Sequence, residues 1–239
     1  MPAQSIHAFA EKVALITDGE SPIGRAVALQ LALQGSYVIV GFANSSEANK
    51  SAIAELQNLG TLANAVEADI STLEGAKKLV AEVEKMFGRI DLLVNCLKFR
   101  RDSTFDETTG EVFEKTLNAN LKAAFFVTQE AVRLMKSRPK PKIVNVVSAL
   151  DTDGAAQDVL FALSQTAVIG LTRSLAKSLP KNFRVNVVAV SEKPGKNENL
   201  DAQLFRVKSG ISEDDTARTI LFLLSSEAIG LNGQILKVE

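Results

Sequence analysis

Three observations predict an α/β fold for this chain, built on a parallel sheet with helices on both faces. Short apolar runs alternate with segments of helical periodicity from end to end. The short runs are apolar throughout, the pattern of strands buried on both sides. No internal repeat and no linker interrupts the alternation, so residues 1–239 read as one domain.

Met1 to Ala10 precedes the pattern and reads as a flexible N-terminal tail. Val13 to Ile16 is the first strand. Ile23, Val27 and Leu31 then recur at helical spacing, with Pro22 at the first helical position and Gly35 as the stop. Tyr37 to Val40 is the second strand, Ser46 to Leu59 the second helix and Gly60 its end. Residues 62–67 form a third strand, Leu73 to Phe87 a helix closed by Gly88, and Asp91 to Val94 the fourth strand. Val112 to Lys136 reads as one long helix ended by Pro139 and Pro141, and Ile143 to Val147 as the fifth strand. Asp158 to Leu179 is helical, with Leu160, Leu163, Ala167, Leu171 and Leu175 on one stripe and Pro180 after it. Val185 to Val190 is the sixth strand and Ser191 to Asn199 a loop. Ser212 to Ser225 is the last helix and Gln234 to Val238 the last strand.

Composition excludes several classes of function. Lys+Arg 27 against Asp+Glu 28 leaves a net charge of -1, so neither nucleic acid nor a membrane surface is an expected partner. The one cysteine, Cys96, permits no internal disulfide and suits a reducing cytosol, and it reads as a small core residue. No basic segment followed by a long apolar one opens the chain, and no apolar run has transmembrane length. The expected location is cytoplasmic. His7 is the single histidine and lies in the tail, which argues against a histidine-centred metal site or a Ser-His-Asp triad. No metal is expected.

The first strand runs into Thr17-Asp18-Gly19-Glu20-Ser21-Pro22-Ile23-Gly24. A glycine-bearing strand-to-helix turn of this kind lets backbone approach a pyrophosphate at a helix N-terminus. The loop resembles the Thr-Gly-x-x-x-Gly-Ile-Gly turn of short-chain dehydrogenases/reductases. Similar matches follow in order: Asp69 after the third strand, Leu93-Val94-Asn95-Cys96-Leu97-Lys98 against Leu-Val-Asn-Asn-Ala-Gly, Asn120-Leu121, Ser148, and Val185 to Ala189. The branch of closest flavour is the 3-oxoacyl-acyl-carrier-protein reductases. The resemblance implies strand order 3-2-1-4-5-6-7 and a doubly wound, Rossmann-type sheet of seven strands. It implies catalytic positions at Asn120, Ser148, 161 and 165. It places a dinucleotide against Gly19, Ser21, Ile23, Gly24, Asn44, Asp69, Ile70 and Asn95. It also implies a dimer or tetramer, with the helices at about 112–136 and 158–179 packing against their copies.

The departures fall on the chemistry. Thirteen positions after Ser148, where the family carries tyrosine, stands Phe161; four further, where it carries lysine, stands Gln165. Tyr37, in the second strand, is the one tyrosine of the chain. In the family the tyrosine hands its proton to the substrate oxygen and the lysine charge lowers its pKa. A free phenol titrates at about 10. Phe161 keeps the ring without the donor, and Gln165 keeps the length without the charge. Asp18 and Pro22 replace loop glycines, and Lys98 replaces the glycine of the asparagine motif. Asp18 brings negative charge toward phosphates, Pro22 removes an N–H, and Lys98 either fills cofactor space or pairs with phosphate. Gly41-Phe42-Ala43-Asn44 offers no carboxylate for a ribose diol, which favours NADP over NAD for any dinucleotide that binds. The Pro-Gly expected after the sixth strand is Val190-Ser191, and the chain ends at Val238-Glu239 without the family's Asp-Gly-Gly.

Three functions compete on these residues. The first is a catalytically degenerate subunit or homologue of an NADP(H)-dependent 3-oxoacyl-thioester reductase, assembled as a homo-oligomer or with an intact paralogue. The second is a working NAD(P)H-dependent carbonyl reductase using altered residues. The third is a ligand-binding or sensing module. Lys98, Arg100 and Arg101 read as a solvated loop or as an anion-binding rim.

Overall fold

The computed structural model describes residues 8–43, 47–58, 60–101, 103–149, 158–191 and 212–238. The strands are β1 (Val13–Thr17), β2 (Tyr37–Phe42), β3 (Ala63–Glu67), β4 (Leu92–Asn95), β5 (Lys142–Ala149), β6 (Arg184–Ser191) and β7 (Ile235–Val238). They form a seven-stranded sheet in the order β3-β2-β1-β4-β5-β6-β7. Every pairing is parallel, as in Leu15 with Ile39 on one side and Leu93 on the other. This is the order that the family resemblance implies. Strand order reverses between β1 and β4, and a fold of this kind opens its ligand crevice there, beyond the carboxyl ends of the strands.

The helices are α1 (Pro22–Leu33), α2 (Glu47–Asn58), α3 (Leu73–Phe87), α4 (Gly110–Leu117), α5 (Ala123–Met135), α6 (Val159–Ser178) and α7 (Glu213–Leu224). Strand side chains alternate between the two sheet faces, which splits each apolar run into two cores. Ala14, Ile16, Val38, Val40, Val94 and Val144 pack with α1 and α7. Val13, Leu15, Ile39, Leu93, Ile143 and Val185 pack with α3 and α5.

Local chemistry sets the helix ends. Ser21 caps α1 by accepting from the Gly24 N–H, with Pro22 at the first helical turn. Gly88 ends α3 at φ 65, a left-handed conformation that glycine adopts without strain. Ser212 and Asp215 form a reciprocal capping box on α7.

Two expectations need correction. The stretch 112–136 is not one helix: a π turn at Asn118–Lys122 separates α4 from α5. The turn surrounds Asn120, whose side chain binds backbone outside the helix. The tail ends earlier than Ala10. Phe9 is 4% exposed in the α1-side core, and its carbonyl accepts from the Lys12 N–H and the Ser36 hydroxyl. On α6 Leu163 points outward while Phe161, Gln165, Val168 and Thr172 point inward. Among the described residues, α6 is the one helix long and apolar enough to cross a membrane; its inward face packs on β5 and β6.

Candidate functional site

A cleft of about 330 Å³ opens at the carboxyl ends of the strands. The nucleotide-type loop contributes Ser21, Pro22 and Ile23 to it. Cys96 and Lys98 after β4 line it too, and Glu213 stands at the start of α7.

Three N–H groups of the loop already have protein partners. Asp18 takes φ 53, the left-handed region, which the glycine it replaces would occupy freely. The Asp18 carbonyl accepts from the Ser21 N–H at 3.1 Å and from the Ser21 hydroxyl at 2.8 Å. The Gly24 N–H donates to Ser21 Oγ, and the Gly19 N–H to the Gly41 carbonyl at 3.2 Å. Pro22 has no N–H. Burial, the charge of Glu20 next, raises the Asp18 carboxyl from 3.8 to about 6, against the lowering effect of the Ser21 backbone bond. The same burial, with Asp18 adding to it, pushes the Cys96 thiol up.

The retained glycines answer to packing. A Cβ on Gly19 would lie 1.7 Å from Val40 Cγ1, and one on Gly24 would lie 2.4 Å from the Asp18 carbonyl oxygen. Both residues are required by close contact between loop, helix and β2, with or without a ligand. Gly19→Ala is therefore expected to destabilise the ligand-free protein by about 2 kcal/mol or more through overpacking, read by urea denaturation.

Asp69 is exposed, and its Oδ1 accepts from the Ser71 N–H and, at 2.6 Å, from the Ser71 hydroxyl. That closes the turn into the Thr72 cap of α3. Ile70 packs half-buried beside it against the α3-side core. Asn44 lies outside the described residues. Asn95 is buried and donates to Asn145 Oδ1 at 2.8 Å and to Thr128 Oγ1 at 3.1 Å. Asn145 in turn donates to Thr172 Oγ1. This polar chain ties β4 to β5, α5 and α6.

The structure brings the reaction-site positions together. Ser148 ends the buried part of β5, and its N–H donates to Gln165 Oε1 at 3.0 Å. Gln165 is fully buried, and its Nε2 has no hydrogen-bond partner among the described residues. Phe161 lies one turn earlier on the same inward face of α6 and is 3% exposed. Asn120 accepts from the Phe99 N–H at 2.7 Å, donates to the Phe99 carbonyl at 2.8 Å and donates to Ser164 Oγ at 2.9 Å. The side chain thus clamps the segment after β4 onto α6.

Two further residues complete the site, and sequence reasoning missed their roles. Arg100 is not simply a solvated loop residue: its guanidinium carbon stands 5.3 Å from the centre of the Phe161 ring, within cation–π range. Its Nε lies 3.8 Å from Asp158 Oδ2. Asp158 is buried and caps α6 by accepting from the Phe161 N–H at 2.8 Å. The Asp158-to-Phe161 spacing is a cap signal legible in sequence. The position of Arg100 has no such signal, because the Asn120 clamp, 20 residues downstream, determines it. Among the described residues no group of three His, Cys, Asp or Glu is arranged to hold a metal ion.

The comparisons with known proteins agree on this architecture. The family model for short chain dehydrogenases matches residues 12–195. The 3-oxoacyl-[acyl-carrier-protein] reductase FabG of Thermotoga maritima is 33% identical over 238 residues, covering 95% of this chain and 96% of the relative. FabG of Staphylococcus aureus is 30% identical with the same coverage. A solved short chain dehydrogenase from Burkholderia cenocepacia, in complex with NADP, is 30% identical with TM-score 0.86 and covers 98% of each chain. A dehydrogenase/reductase from Sinorhizobium meliloti is 26% identical with TM-score 0.88, covering 98% of this chain and 96% of that one. This chain belongs to the short-chain dehydrogenase/reductase family.

Proposed function

We propose that this chain is a catalytically degenerate homologue of the 3-oxoacyl-thioester reductases, a non-catalytic subunit that assembles with its own copies or with an intact paralogue. The observation that carries the reading is the pair Phe161 and Gln165, both buried on the inward face of α6, with Gln165 bonded to the Ser148 N–H. A phenyl ring has no proton to give. Gln165 has no charge, and its carbonyl is already held by the Ser148 backbone. Arg100 over the ring supplies positive charge, but a guanidinium holds its protons too tightly to act as a general acid.

NADP(H), the cofactor implied by the family, fits one end of the cleft and not the other. The unpartnered Gln165 Nε2 suits a ribose hydroxyl. The pyrophosphate end meets the Asp18 carboxylate, the Pro22 ring and the Gly19, Ser21 and Gly24 N–H groups, which are already bonded. Weak or absent dinucleotide binding follows. Assembly is supported by apolar side chains left in solvent on one group of helices. Phe113 on α4, Phe125 on α5, and Val159 and Leu163 on α6 are each more than 40% exposed. Phe126 packs partly into the core and sets its ring edge against Phe125.

A second reading, a slow NADP(H)-dependent carbonyl reductase, draws on Ser148 and Asn120, which keep their family places. Calorimetric titration with NADPH and NADH, with light scattering on the same sample, separates the two. The expected dissociation constant is weaker than about 100 μM, and the expected mass is at least a dimer at micromolar concentration. Low-micromolar NADPH binding would move the reductase reading to first place, and a monomeric mass for protein co-expressed with an intact paralogue would remove the subunit reading.

A further inference from the structure

We infer that the Asp18 carboxylate is the group that closes this cleft to a dinucleotide, and that its protonation or removal opens it. The inference rests on the degenerate reading above and gives it a cause that can be reversed. Asp18 stands at the turn between β1 and α1, held at φ 53 by the Ser21 N–H and hydroxyl on its carbonyl. These bonds hold the backbone of the turn, and the carboxylate interacts with the Ser21 N–H at the helix N-terminus and with Cys96, two residues that line the cleft. The other obstacles are milder. Pro22 removes one donor, and the bonds of Gly19 and Gly24 are the ordinary cost of a capped strand-to-helix turn. A like charge fixed at a phosphate site is repulsive at any orientation, and the partial charge of a helix terminus does not offset it.

The charges around it make the group responsive. Glu20, on the same loop, raises its proton affinity. Cys96, at the end of β4, faces it with a thiol that burial keeps protonated. Lys98 and Glu213 stand on the two other walls of the cleft with opposite charges. A carboxyl titrating at about 6 is roughly three-quarters protonated at pH 5.5 and about 1% protonated at pH 8. If the anionic ligand requires the neutral form, affinity changes by a factor of tens across that interval.

The test is calorimetric titration with NAD⁺, whose pyrophosphate keeps its charge through this range, on the full chain at pH 8.0 and pH 5.5. Wild type, Asp18→Asn and Asp18→Gly are compared. Asparagine and glycine both accept the left-handed backbone, so both variants are expected to fold. Wild type is expected to bind at least about tenfold more tightly at pH 5.5 than at pH 8.0. Both variants are expected to lose that dependence and to bind at pH 8.0 as wild type does at pH 5.5. Thermal unfolding gives a readout that needs no ligand. The folded pKa lies above 3.8, so the stability Asp18 contributes is full below 3.8 and is lost as pH rises through about 6. Asp18→Asn is therefore expected to raise the melting temperature at pH 8 by about 5 °C or more, and to change it little at pH 4. Wild-type affinity that is flat with pH, with variants no tighter, would overturn the inference and leave the degenerate reading standing. Tight wild-type binding already at pH 8.0 would overturn both.

Discussion

Purified alone, the protein is expected to reduce an acetoacetyl thioester with NADPH at a rate roughly 10⁴-fold or more below that of an intact family member. A positioned general acid contributes about 10² to 10⁴ in rate, and groups that act as a unit fail together. Phe161 and Gln165 remove the acid and the charge that tunes it, while Ser148 and Asn120 keep their places. The double change Phe161→Tyr with Gln165→Lys is expected to recover only a small part of the loss. Gln165 accepts the Ser148 N–H, so the lysine leaves that buried donor unmatched at a cost of about 1–3 kcal/mol. Asp18 still opposes the cofactor in the double variant, and adding Asp18→Gly is expected to raise the rate further. Steady-state assays on the series measure this. A wild-type turnover of about 1 s⁻¹ would sink the degenerate reading, since that falls within the ordinary range of working enzymes.

Asn120→Ala is expected to destabilise the fold by about 3 kcal/mol, although the protein needs no catalytic asparagine on this reading. Its amide meets the Phe99 N–H, the Phe99 carbonyl and Ser164 Oγ. The substitution removes the partners of a half-buried backbone donor and acceptor and one bond to the buried Ser164 hydroxyl, which places it among the large single-residue effects. Urea denaturation checks the magnitude. The loss is also expected to free the segment that carries Arg100, so amide hydrogen exchange at Phe99 and Arg100 should speed up more than at β5. A variant as stable as wild type, with unchanged exchange, would show that the clamp carries no weight.

Much of the fold was legible in the chain because its signals are local. Leu73 to Phe87 with Gly88 behind it gives α3 to the residue, since a cap, a periodic stretch and a left-handed glycine are all properties of neighbouring residues. The apolar runs of β1, β4 and β5 announced a sheet buried on both faces for the same reason. Helix α6 is legible to within a residue at each end. Periodicity does not say that its buried face carries Ser164, Gln165 and Thr172, each matched to a polar partner on another element. An asparagine inside the helical stretch 112–136 is a residue type that supports a kink by capping backbone groups, but the sequence does not name its partner, the backbone of Phe99.

The sequence by itself determined the alternation of strands and helices and the offsets that align Ser148, Phe161 and Gln165. It also determined that position 161, where the family resemblance expects a tyrosine, carries phenylalanine. Those are statements about residue type and spacing, and no folding is needed to read them. The tertiary structure decided what these side chains touch. It set Arg100 over the Phe161 ring and tied Gln165 to the Ser148 backbone. It also showed that Gly19 and Gly24 answer to the packing of Val40 and the Asp18 carbonyl. These are contacts between segments far apart in the chain. They depend on the relative placement of strands and helices, which periodicity within any one segment does not encode.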